Sequence, residues 1–180
     1  AGWDSRGHRL RHTYDQLRRP AEVWLRKDAD PELLAQRTDY GEAKGQSLNY
    51  RTRIFQVFDG AGIVTNEAYD FKGNLTQSSR QLASPYKQIL DWSDGVTLEP
   101  DVYTQSTVFD ALNRPVELTA PDQSVIHPIY NEANLLERIQ VNPNGSVTPT
   151  TFVEDIDYNA RGQRTLIECG NGTTTEYEYD

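Results

Sequence analysis

The chain has 180 residues, a formal net charge of −9 and a single cysteine, Cys169. A lone cysteine excludes internal disulfides, and the acidic balance argues against nucleic acid as the main partner. No apolar run approaches the length of a membrane-spanning helix and no signal peptide is visible, so we expect no membrane insertion by this segment. The absence of methionine predicts that the chain is a piece of a longer protein.

In chain order, the residue pattern predicts a series of short strands. They are expected near 8–13, 18–25, a run that ends at 40–42, 51–58, a hairpin over 58–75, and a meander over 102–180. The alternative for residues 32–38 is a short helix capped by Asp30-Pro31. Gly41 and the β surroundings favour a strand there. Polar loops are expected over 41–49 and 142–150.

The segment 83–101 is predicted to be a loop-rich excursion within a single segment that covers 1–180. Residues 76–100 are the least periodic part of the chain, and Pro85, Asp94-Gly95 and Pro100 interrupt them. Three apolar side chains of the excursion are expected to be tucked back against the rest of the protein: Ile89, Leu90 and Trp92.

Charge is distributed unevenly along the chain. Residues 1–27 carry seven Lys or Arg against three acidic side chains, whereas the remainder carries eleven against twenty-four. The basic start could be a phosphate-binding arm. Its arginines interleave with turn signals and form no helical stripe, which favours a solvated strand face or contact with an acidic neighbouring strip.

One small motif recurs: an aromatic residue, Asp or Asn, two variable residues, and Gly or Asn. The copies are Trp3-Asp4 with Gly7, Tyr14-Asp15 with Arg18, Phe58-Asp59 with Gly62, Tyr69-Asp70 with Gly73, Phe109-Asp110 with Asn113, Tyr130-Asn131 with Asn134, Tyr158-Asn159 with Gly162, and Tyr179-Asp180. Arg18 fits its slot less well than Gly or Asn would, and the last copy is cut by the end of the sequence. The Asp and Asn residues are separated by 11, 44, 11, 40, 21, 28 and 21 positions, mostly near multiples of ten or eleven.

The motif predicts a strand end, a tight turn and a new strand. Asp or Asn at the first position of a four-residue turn can accept hydrogen bonds from the backbone amides just ahead of it. Gly at the fourth position takes a positive φ at little steric cost, and Asn is the best substitute. A type I turn followed by a left-handed residue is the usual three-residue hairpin connection. Further turn signals at 121–124, 142–145 and 171–172 fill several of the longer gaps.

These residues resemble the YD repeats of RHS proteins. The resemblance is tightest at VFDGAGIVTNEAYDFKGNL, FDALNRPVELTAPDQSVIHPIYNEANLLERI and DYNARGQRTLIECGNGTTTEYEYD, and it spans nearly the whole chain. The sequence is similar to the RHS region of a bacterial insecticidal toxin complex (Tc toxin), in its B subunit or a fused B–C polypeptide.

The resemblance implies a fold, partners and a location. It implies an all-β protein, an antiparallel meander of short strands joined by tight YD-repeat turns, as a curved or coiled strip of an RHS shell. Relatives use the repeat to build a hollow shell that encloses a C-terminal toxin or effector. The implied partners are neighbouring repeats of the parent chain, the enclosed segment and other toxin-complex subunits, in a secreted or cell-surface bacterial protein.

The motif aromatics leave two interpretations open. The rings are expected to stack along one rim or face, where they would fill a core. The alternative is a carbohydrate-binding aromatic ladder in an adhesive YD-repeat module of a cell-surface protein. Trp92 and Tyr103 are the residues that such a module would use.

No catalytic, cofactor-binding or metal-binding residue is predicted. His8 and His12 have the spacing of a helical metal site, but on a strand they lie about 13 Å apart. His127 has no nearby cysteine or paired acid. The run Asp155-x-Asp157-x-Asn159 resembles a calcium loop but lacks its later Gly and Glu. The chain is therefore expected not to be an enzyme.

Overall fold

The structure of the protein, a computed structural model, describes residues 2–45 and 47–180. Its strands are β1 Gly2–Trp3, β2 His8–Tyr14, β3 Pro20–Lys27, β4 Leu33–Tyr40, β5 Ile54–Asp59, β6 Gly62–Tyr69, β7 Leu75–Ala83, β8 Leu98–Phe109, β9 Pro115–Thr119, β10 Val125–Tyr130, β11 Leu136–Asn142, β12 Thr150–Tyr158, β13 Arg164–Cys169 and β14 Thr174–Glu176. Two short 3-10 helices are present at Gly41–Lys44 and Pro143–Gly145. The described residues include no helix with the length and apolar character needed to cross a bilayer.

The strands form one 14-stranded sheet in which spatial order equals chain order. Each described strand pairing is antiparallel, from β1 with β2 to β13 with β14. The ladder begins at β1 and ends at β14, and no pairing between described residues joins these two strands. The predicted all-β antiparallel meander is therefore confirmed, and residues 33–38 belong to a strand rather than a helix.

The chain divides into two compact units, residues 1–104 and 105–180. The first unit has a small core, built where the segment 84–97 lies over the sheet. Its core cluster consists of the buried side chains of Leu34, Phe58, Ala83, Leu90 and Trp92, with Trp24, Ile63, Val96 and Leu98 packed around them.

The segment 84–97 is held to β4 by two hydrogen bonds of the Leu34 backbone as well as by its apolar side chains. The Trp92 amide donates to the Leu34 carbonyl over 2.9 Å, and the Leu34 amide donates to Asp91 Oδ1 over 3.0 Å. These bonds occupy the part of β4 that β5 is too short to reach, since β5 pairs with β4 only from Arg37 onward. The predicted excursion of 83–101 therefore has its outer residues in β7 and β8.

The prediction for the apolar side chains of this segment needs one correction. Leu90 is 3% exposed and Trp92 is 8% exposed, as expected, but Ile89 is 64% exposed. The prediction for Ile89 is wrong because adjacent residues in an extended loop point in opposite directions, so only one of the pair can face the sheet.

The strand predicted over 51–58 begins later, at Ile54. Residues before it form a turn in which the Arg53 amide donates to the Tyr50 carbonyl. Asn49 and Thr52 have positive φ in this turn. Tyr50 is 4% exposed, and its hydroxyl donates to the Asn66 carbonyl over 2.8 Å and to the Glu67 carbonyl. Tertiary contacts of Tyr50 therefore hold the loop in a turn although its neighbours favour a strand.

The second unit is a single layer of strands, all of whose residues are described. Its one buried side chain is Ile156, which is opposite Ile167. A row of aliphatic side chains crosses β9, β10 and β11 through the pairs Leu118 with Ile126 and Ile126 with Val141. These side chains are only half-buried, because no second layer within residues 105–180 covers them.

Candidate functional site

Six of the seven complete motif copies form one kind of hairpin corner, which begins at Asp4, Asp15, Asp70, Asp110, Asn131 or Asn159. In each corner the amide of this residue donates to the carbonyl four residues ahead, over 2.9–3.0 Å. The amide three residues ahead donates back to its carbonyl, over 2.9–3.3 Å. The residue in that fourth slot has φ between 62° and 104°. This is the three-residue hairpin of a type I turn and a left-handed residue.

The Asp or Asn side chain completes each corner. Its Oδ1 accepts the amide four residues ahead in all six corners, over 2.9–3.1 Å. It also accepts the amide two residues ahead, over 2.8–3.0 Å, at Asp4, Asp15, Asp110, Asn131 and Asn159. Arg18 takes φ 62° in the Asp15 corner, so the corner forms although an arginine occupies the fourth slot.

The copy at Phe58-Asp59 differs from the other six. Asp59 pairs directly with Gly62 in the ladder, so the turn has only two residues. Gly62 has φ 142°, and a Cβ on it would lie 2.1 Å from the Gln81 carbonyl oxygen on β7. Glycine is therefore needed here for the close approach of a neighbouring strand, as well as for its backbone conformation.

Two corners with the same backbone bonds lack the motif. The Ala120 amide donates to the Ser124 carbonyl, and the Cys169 amide donates to the Thr173 carbonyl. Here the Asp or Asn side chain comes two residues later, at Asp122 and Asn171, and accepts the same last amide of the corner. Such a turn can be found in a sequence from Asp or Asn followed by a residue that can take positive φ.

A meander places alternate hairpins on opposite rims of its sheet. In the second unit, the corners at Asp110, Asn131 and Asn159 follow β8, β10 and β12, so they share one rim. The Ala120 corner, the loop at 143–149 and the Cys169 corner lie on the opposite rim. In the first unit, the Asp15 and Asp70 corners follow β2 and β6, and the connection to β5 follows β4. These three connections therefore share one rim.

Tyrosine hydroxyls connect the strand ends on this even-numbered rim, which we call the tyrosine rim of each unit. At the ends of β4, β6, β10 and β12, the tyrosine hydroxyl donates to the carbonyl of the first residue of the preceding strand. The pairs are Tyr40 to Pro20 (3.0 Å), Tyr69 to Ile54 (2.7 Å), Tyr130 to Pro115 (3.0 Å) and Tyr158 to Leu136 (2.6 Å). Each bond joins two neighbouring strands that have no turn between them at this rim, so turns and tyrosine bonds alternate.

Arginine four residues after the corner aspartate reinforces the rim. Arg19 Nε donates to Asp15 Oδ2 over 2.7 Å, and its guanidinium lies 3.7 Å from the centre of the Tyr40 ring. Arg114 Nε donates to Asp110 Oδ2 over 2.7 Å, and its guanidinium lies 4.6 Å from the Tyr130 ring centre. A cation over an aromatic face is attractive. Each arginine thereby links its own corner to the next tyrosine.

The motif aromatics do not stack on one another as predicted. Among residues 2–45 and 47–180, no ring contact joins two of them, and Phe58 instead packs on Trp92 in the core with ring centres 5.1 Å apart. The exposed motif rings are Trp3, Tyr14 and Tyr179, at 74%, 62% and 47%. The physical reason is that the hydroxyls of Tyr69, Tyr130 and Tyr158 each reach a carbonyl at a strand end, which fixes the ring there. The rings of Tyr69 and Tyr130 lie beside arginine instead of another motif ring.

Removing one rim hydroxyl should have a measurable cost. We expect Tyr130→Phe to lower the free energy of unfolding by about 1 kcal/mol, because the Pro115 carbonyl loses its donor while the ring is retained. Urea unfolding followed by circular dichroism measures the change. Tyr14→Phe is the matched control, since the Tyr14 side chain is 62% exposed, and it should change stability by less than about 0.5 kcal/mol. Equal losses in the two variants would contradict the role of the rim bond.

The corner carboxylates should make stability depend on pH. The pKa of Asp110 lies below its ordinary value, chiefly because the Arg114 backbone amide donates to the carboxylate, and the Arg114 guanidinium lowers it further. A group with a lowered folded-state pKa contributes stability above its unfolded pKa of about 4, and this contribution is lost as pH falls through the folded pKa.

We therefore expect Asp110→Asn to reduce the fall in Tm between pH 6 and pH 2.5. The asparagine Oδ1 still accepts the backbone amides of the turn, as in the Asn131 and Asn159 corners, but the side chain has no proton to gain at low pH. Differential scanning calorimetry at both pH values measures the effect. The control is Asp101→Asn, an exposed position on β8, which should fall in Tm as much as the unaltered chain does. A variant at Asp110 with an unchanged acid response would refute this account.

The polar residues with possible metal or catalytic spacing are not brought together. His8 Nδ1 lies 3.0 Å from Asp4 Oδ2, within a corner, and His12 is opposite Val23. The described residues contain no group of three or more His, Cys, Asp or Glu side chains placed to hold a metal. Trp92 is in the core with its Nε1 donating to the Asp59 carbonyl, so its ring is not free to stack on a sugar, whereas Tyr103 is 41% exposed.

Comparison with known proteins identifies the fold. No protein-family model matches the chain, and no curated protein matches its sequence. Solved structures match nearly all of it, including a crystal structure of TcdB2-TccC3-Cdc42 with a TM-score of 0.83 over 98% of this chain. The chain has the fold of a segment of TcdB2-TccC3.

The match to TcdB2-TccC3 is high in structure and low in sequence. A crystal structure of TcdB2-TccC3 without the hypervariable C-terminal region gives a TM-score of 0.83 over 99% of this chain, at 21% identity. The Photorhabdus luminescens Tc holotoxin pore gives 0.80 over 96%, also at 21% identity. The chain spans about 9% of the length of the TcdB2-TccC3 chains. The resemblance to the RHS region of Tc toxins is thus confirmed at the level of the fold.

Proposed function

We propose that the chain is a non-catalytic structural segment of a hollow RHS-repeat shell that encapsulates a C-terminal toxin or effector polypeptide. The observation that carries the proposal is the match of almost the entire chain to 9% of TcdB2-TccC3, at a TM-score of 0.83. A segment that matches from end to end without filling its counterpart is typical of one stretch of a larger repeat structure.

The construction of the sheet supports a role as part of a wall. Its edge strands β1 and β14 each pair with a described strand on one side, which leaves the other edge open for further strands of a parent chain. The second unit is one strand layer thick, so much of its apolar face is only half-buried. A wall one sheet thick encloses a large volume with few residues, and its neighbours supply stability that a thin sheet lacks.

The use of the polar side chains supports a structural role. The corner carboxylates of Asp15 and Asp110 accept backbone amides of their turns and pair with arginine. Their hydrogen bonds thus stabilise the fold. The proposed partners are neighbouring repeats, the enclosed polypeptide and other toxin-complex subunits, in a secreted or cell-surface bacterial protein. Neither nucleic acid nor membrane insertion has a part in this role.

The test is a structure of the full-length product that contains this segment, combined with limited proteolysis. We expect residues 1–180 to form part of a closed wall, with the C-terminal polypeptide protected from protease inside it. Opening the wall by mild denaturant should make that polypeptide cleavable at the same denaturant concentration at which the wall unfolds. A C-terminal polypeptide that is cleaved as fast in the native product as in the denatured one would overturn the proposal.

A further inference from the structure

Two arginines face each other across β2 and β3. Arg9 and Arg26 are direct cross-strand partners, and Arg11 with its partner Trp24 follows on the same face. Directly opposed side chains have Cβ atoms about 5 Å apart, and like charges in such a pair destabilise a sheet. The pair therefore needs an explanation other than the stability of the isolated sheet.

The donors of both guanidinium groups are unused. The Nε atoms of Arg9 and Arg26 are buried and have no hydrogen-bond partner. Among residues 2–45 and 47–180, no side chain forms a hydrogen bond or ion pair with either guanidinium. Arg9 lies over the ring of Trp3 at 5.9 Å, and its terminal nitrogens, unlike its Nε, are not buried. A buried donor without an acceptor is costly, so the two Nε atoms add to the cost of this pair in the isolated sheet.

The acidic side chains of this face already have partners. Glu32 accepts Arg11 Nε over 3.1 Å and Nη2 over 2.7 Å. Glu22 accepts the Thr13 hydroxyl over 3.0 Å and the Trp24 indole over 2.8 Å. Arg11 is the main cause of the lowered pKa of Glu32, and the charges of Arg9 and Arg26 contribute less. Neither acid forms a hydrogen bond or ion pair with Arg9 or Arg26, although Glu32 interacts with both electrostatically at longer range.

The accessible terminal nitrogens of each guanidinium indicate which anion fits. Elsewhere in this chain arginine binds carboxylate through Nε and a terminal nitrogen, as Arg11 does with Glu32 and Arg19 with Asp15. In Arg9 and Arg26 the Nε is buried, so the two terminal nitrogens are the donors that remain for a carboxylate. A carboxylate matches the planar fork of a guanidinium with two parallel hydrogen bonds. Two forks on neighbouring strands can thus take two carboxylates.

We propose that Arg9 and Arg26 form a binding site for an extended acidic polypeptide segment, which supplies carboxylates at two alternate positions. Side chains at i and i+2 of an extended strand lie on one face, about 7 Å apart. Arg9 and Arg26 lie on one face of the sheet on neighbouring strands, so a segment with two such carboxylates can reach both. The site does not depend on the shell function, because the two arginines and their surroundings belong to residues 2–45.

The test uses the 180-residue chain with 15N-labelled arginine. The probe is the peptide acetyl-Thr-Glu-Thr-Glu-Thr-amide, and the same peptide with Gln for Glu is the control ligand. We expect the acidic peptide to shift the Nε–Hε signals of Arg9 and Arg26 in NMR spectra, and the Gln peptide to leave them unchanged. Separate titrations with acetate and with inorganic phosphate complete the set. Saturation by phosphate at lower concentration than by the peptide would overturn the proposal in favour of a phosphate site.

Variants separate this site from general charge attraction. Arg9→Gln and Arg26→Gln should each weaken peptide binding at least tenfold, because each removes one charged fork. Arg26→Lys should also weaken it, since lysine keeps the charge but lacks the fork. Arg161→Gln removes the same charge from an exposed corner and should leave binding unchanged. Equal binding by the Arg26 and Arg161 variants would overturn the proposal.

A stability measurement makes the test independent of the peptide. Without ligand, Arg26→Gln should raise Tm at low salt, because it relieves the opposed charges on Arg9 and Arg26. A purely structural arginine would give a lower Tm on replacement. A fall in Tm together with an absence of peptide binding would show that the pair serves only the fold.

Discussion

Trp92→Ala is expected to lower the free energy of unfolding by about 3–5 kcal/mol, because the side chain fills the centre of the only core cluster that the structure describes in residues 2–45 and 47–104. The Trp92 side chain is 8% exposed and its ring packs edge-on against Phe58. Its Nε1 donates to the Asp59 carbonyl over 3.0 Å. The variant therefore loses the packing of a large ring and leaves a buried carbonyl without its donor.

Urea unfolding at equilibrium measures this loss, and Trp3→Ala is the control. Trp3 is 74% exposed, so its replacement should cost about 0.5 kcal/mol or less. Limited proteolysis gives a second measurement, because the Trp92 side chain packs the segment 84–97 on the core and its loss should speed cleavage there. If both tryptophan variants lost the same stability, the core assigned to Trp92 would be wrong.

Gly62→Ala is expected to cost about 2–4 kcal/mol. The added Cβ would lie 2.1 Å from the Gln81 carbonyl oxygen and 2.9 Å from Leu82 Cα, and both atoms belong to the backbone of β7. Backbone atoms in a ladder cannot move aside as the end of a flexible side chain can. The φ of 142° at Gly62 adds strain for any residue with a Cβ.

Gly60→Ala is the matched control for this substitution. Gly60 lies two residues earlier in the same turn, and a Cβ on it would meet nothing within 4 Å. It should therefore change the free energy of unfolding by less than about 1 kcal/mol. Amide hydrogen exchange in β7 should increase in the Gly62 variant alone. Comparable stability and exchange in the two variants would refute the close approach of β7.

The hairpin corners could be predicted because their chemistry is local. Acceptance of turn amides by Asp or Asn, and a residue that tolerates positive φ three positions later, are both visible within five residues. Even Arg18 follows the pattern, since the Asp15 side chain and the ladders on either side hold it at φ 62°. The motif thus predicted the meander, although its copy at Phe58 makes a shorter turn.

The tyrosine rim could not be predicted from the same pattern. Tyr40 donates to Pro20 as Tyr130 donates to Pro115, yet Gly41 follows Tyr40 where the motif requires Asp or Asn. The bond depends on which strand start lies beside the tyrosine, and this is a property of the register between strands. The one available signal is arginine four residues after a corner aspartate, at Arg19 and Arg114, since it stacks on the next tyrosine of the rim.

The two rims of the second unit should differ in how well they tolerate changes in turn length. On the tyrosine rim, hydroxyl-to-carbonyl hydrogen bonds connect neighbouring turns, so a lengthened turn would displace a donor from its carbonyl. On the opposite rim the connection at 143–149 projects Val147 with 95% of its surface in solvent. Natural insertions should therefore accumulate on the rim opposite the tyrosine rim, and an epitope tag should be tolerated there. The turns of the tyrosine rim should keep a constant length.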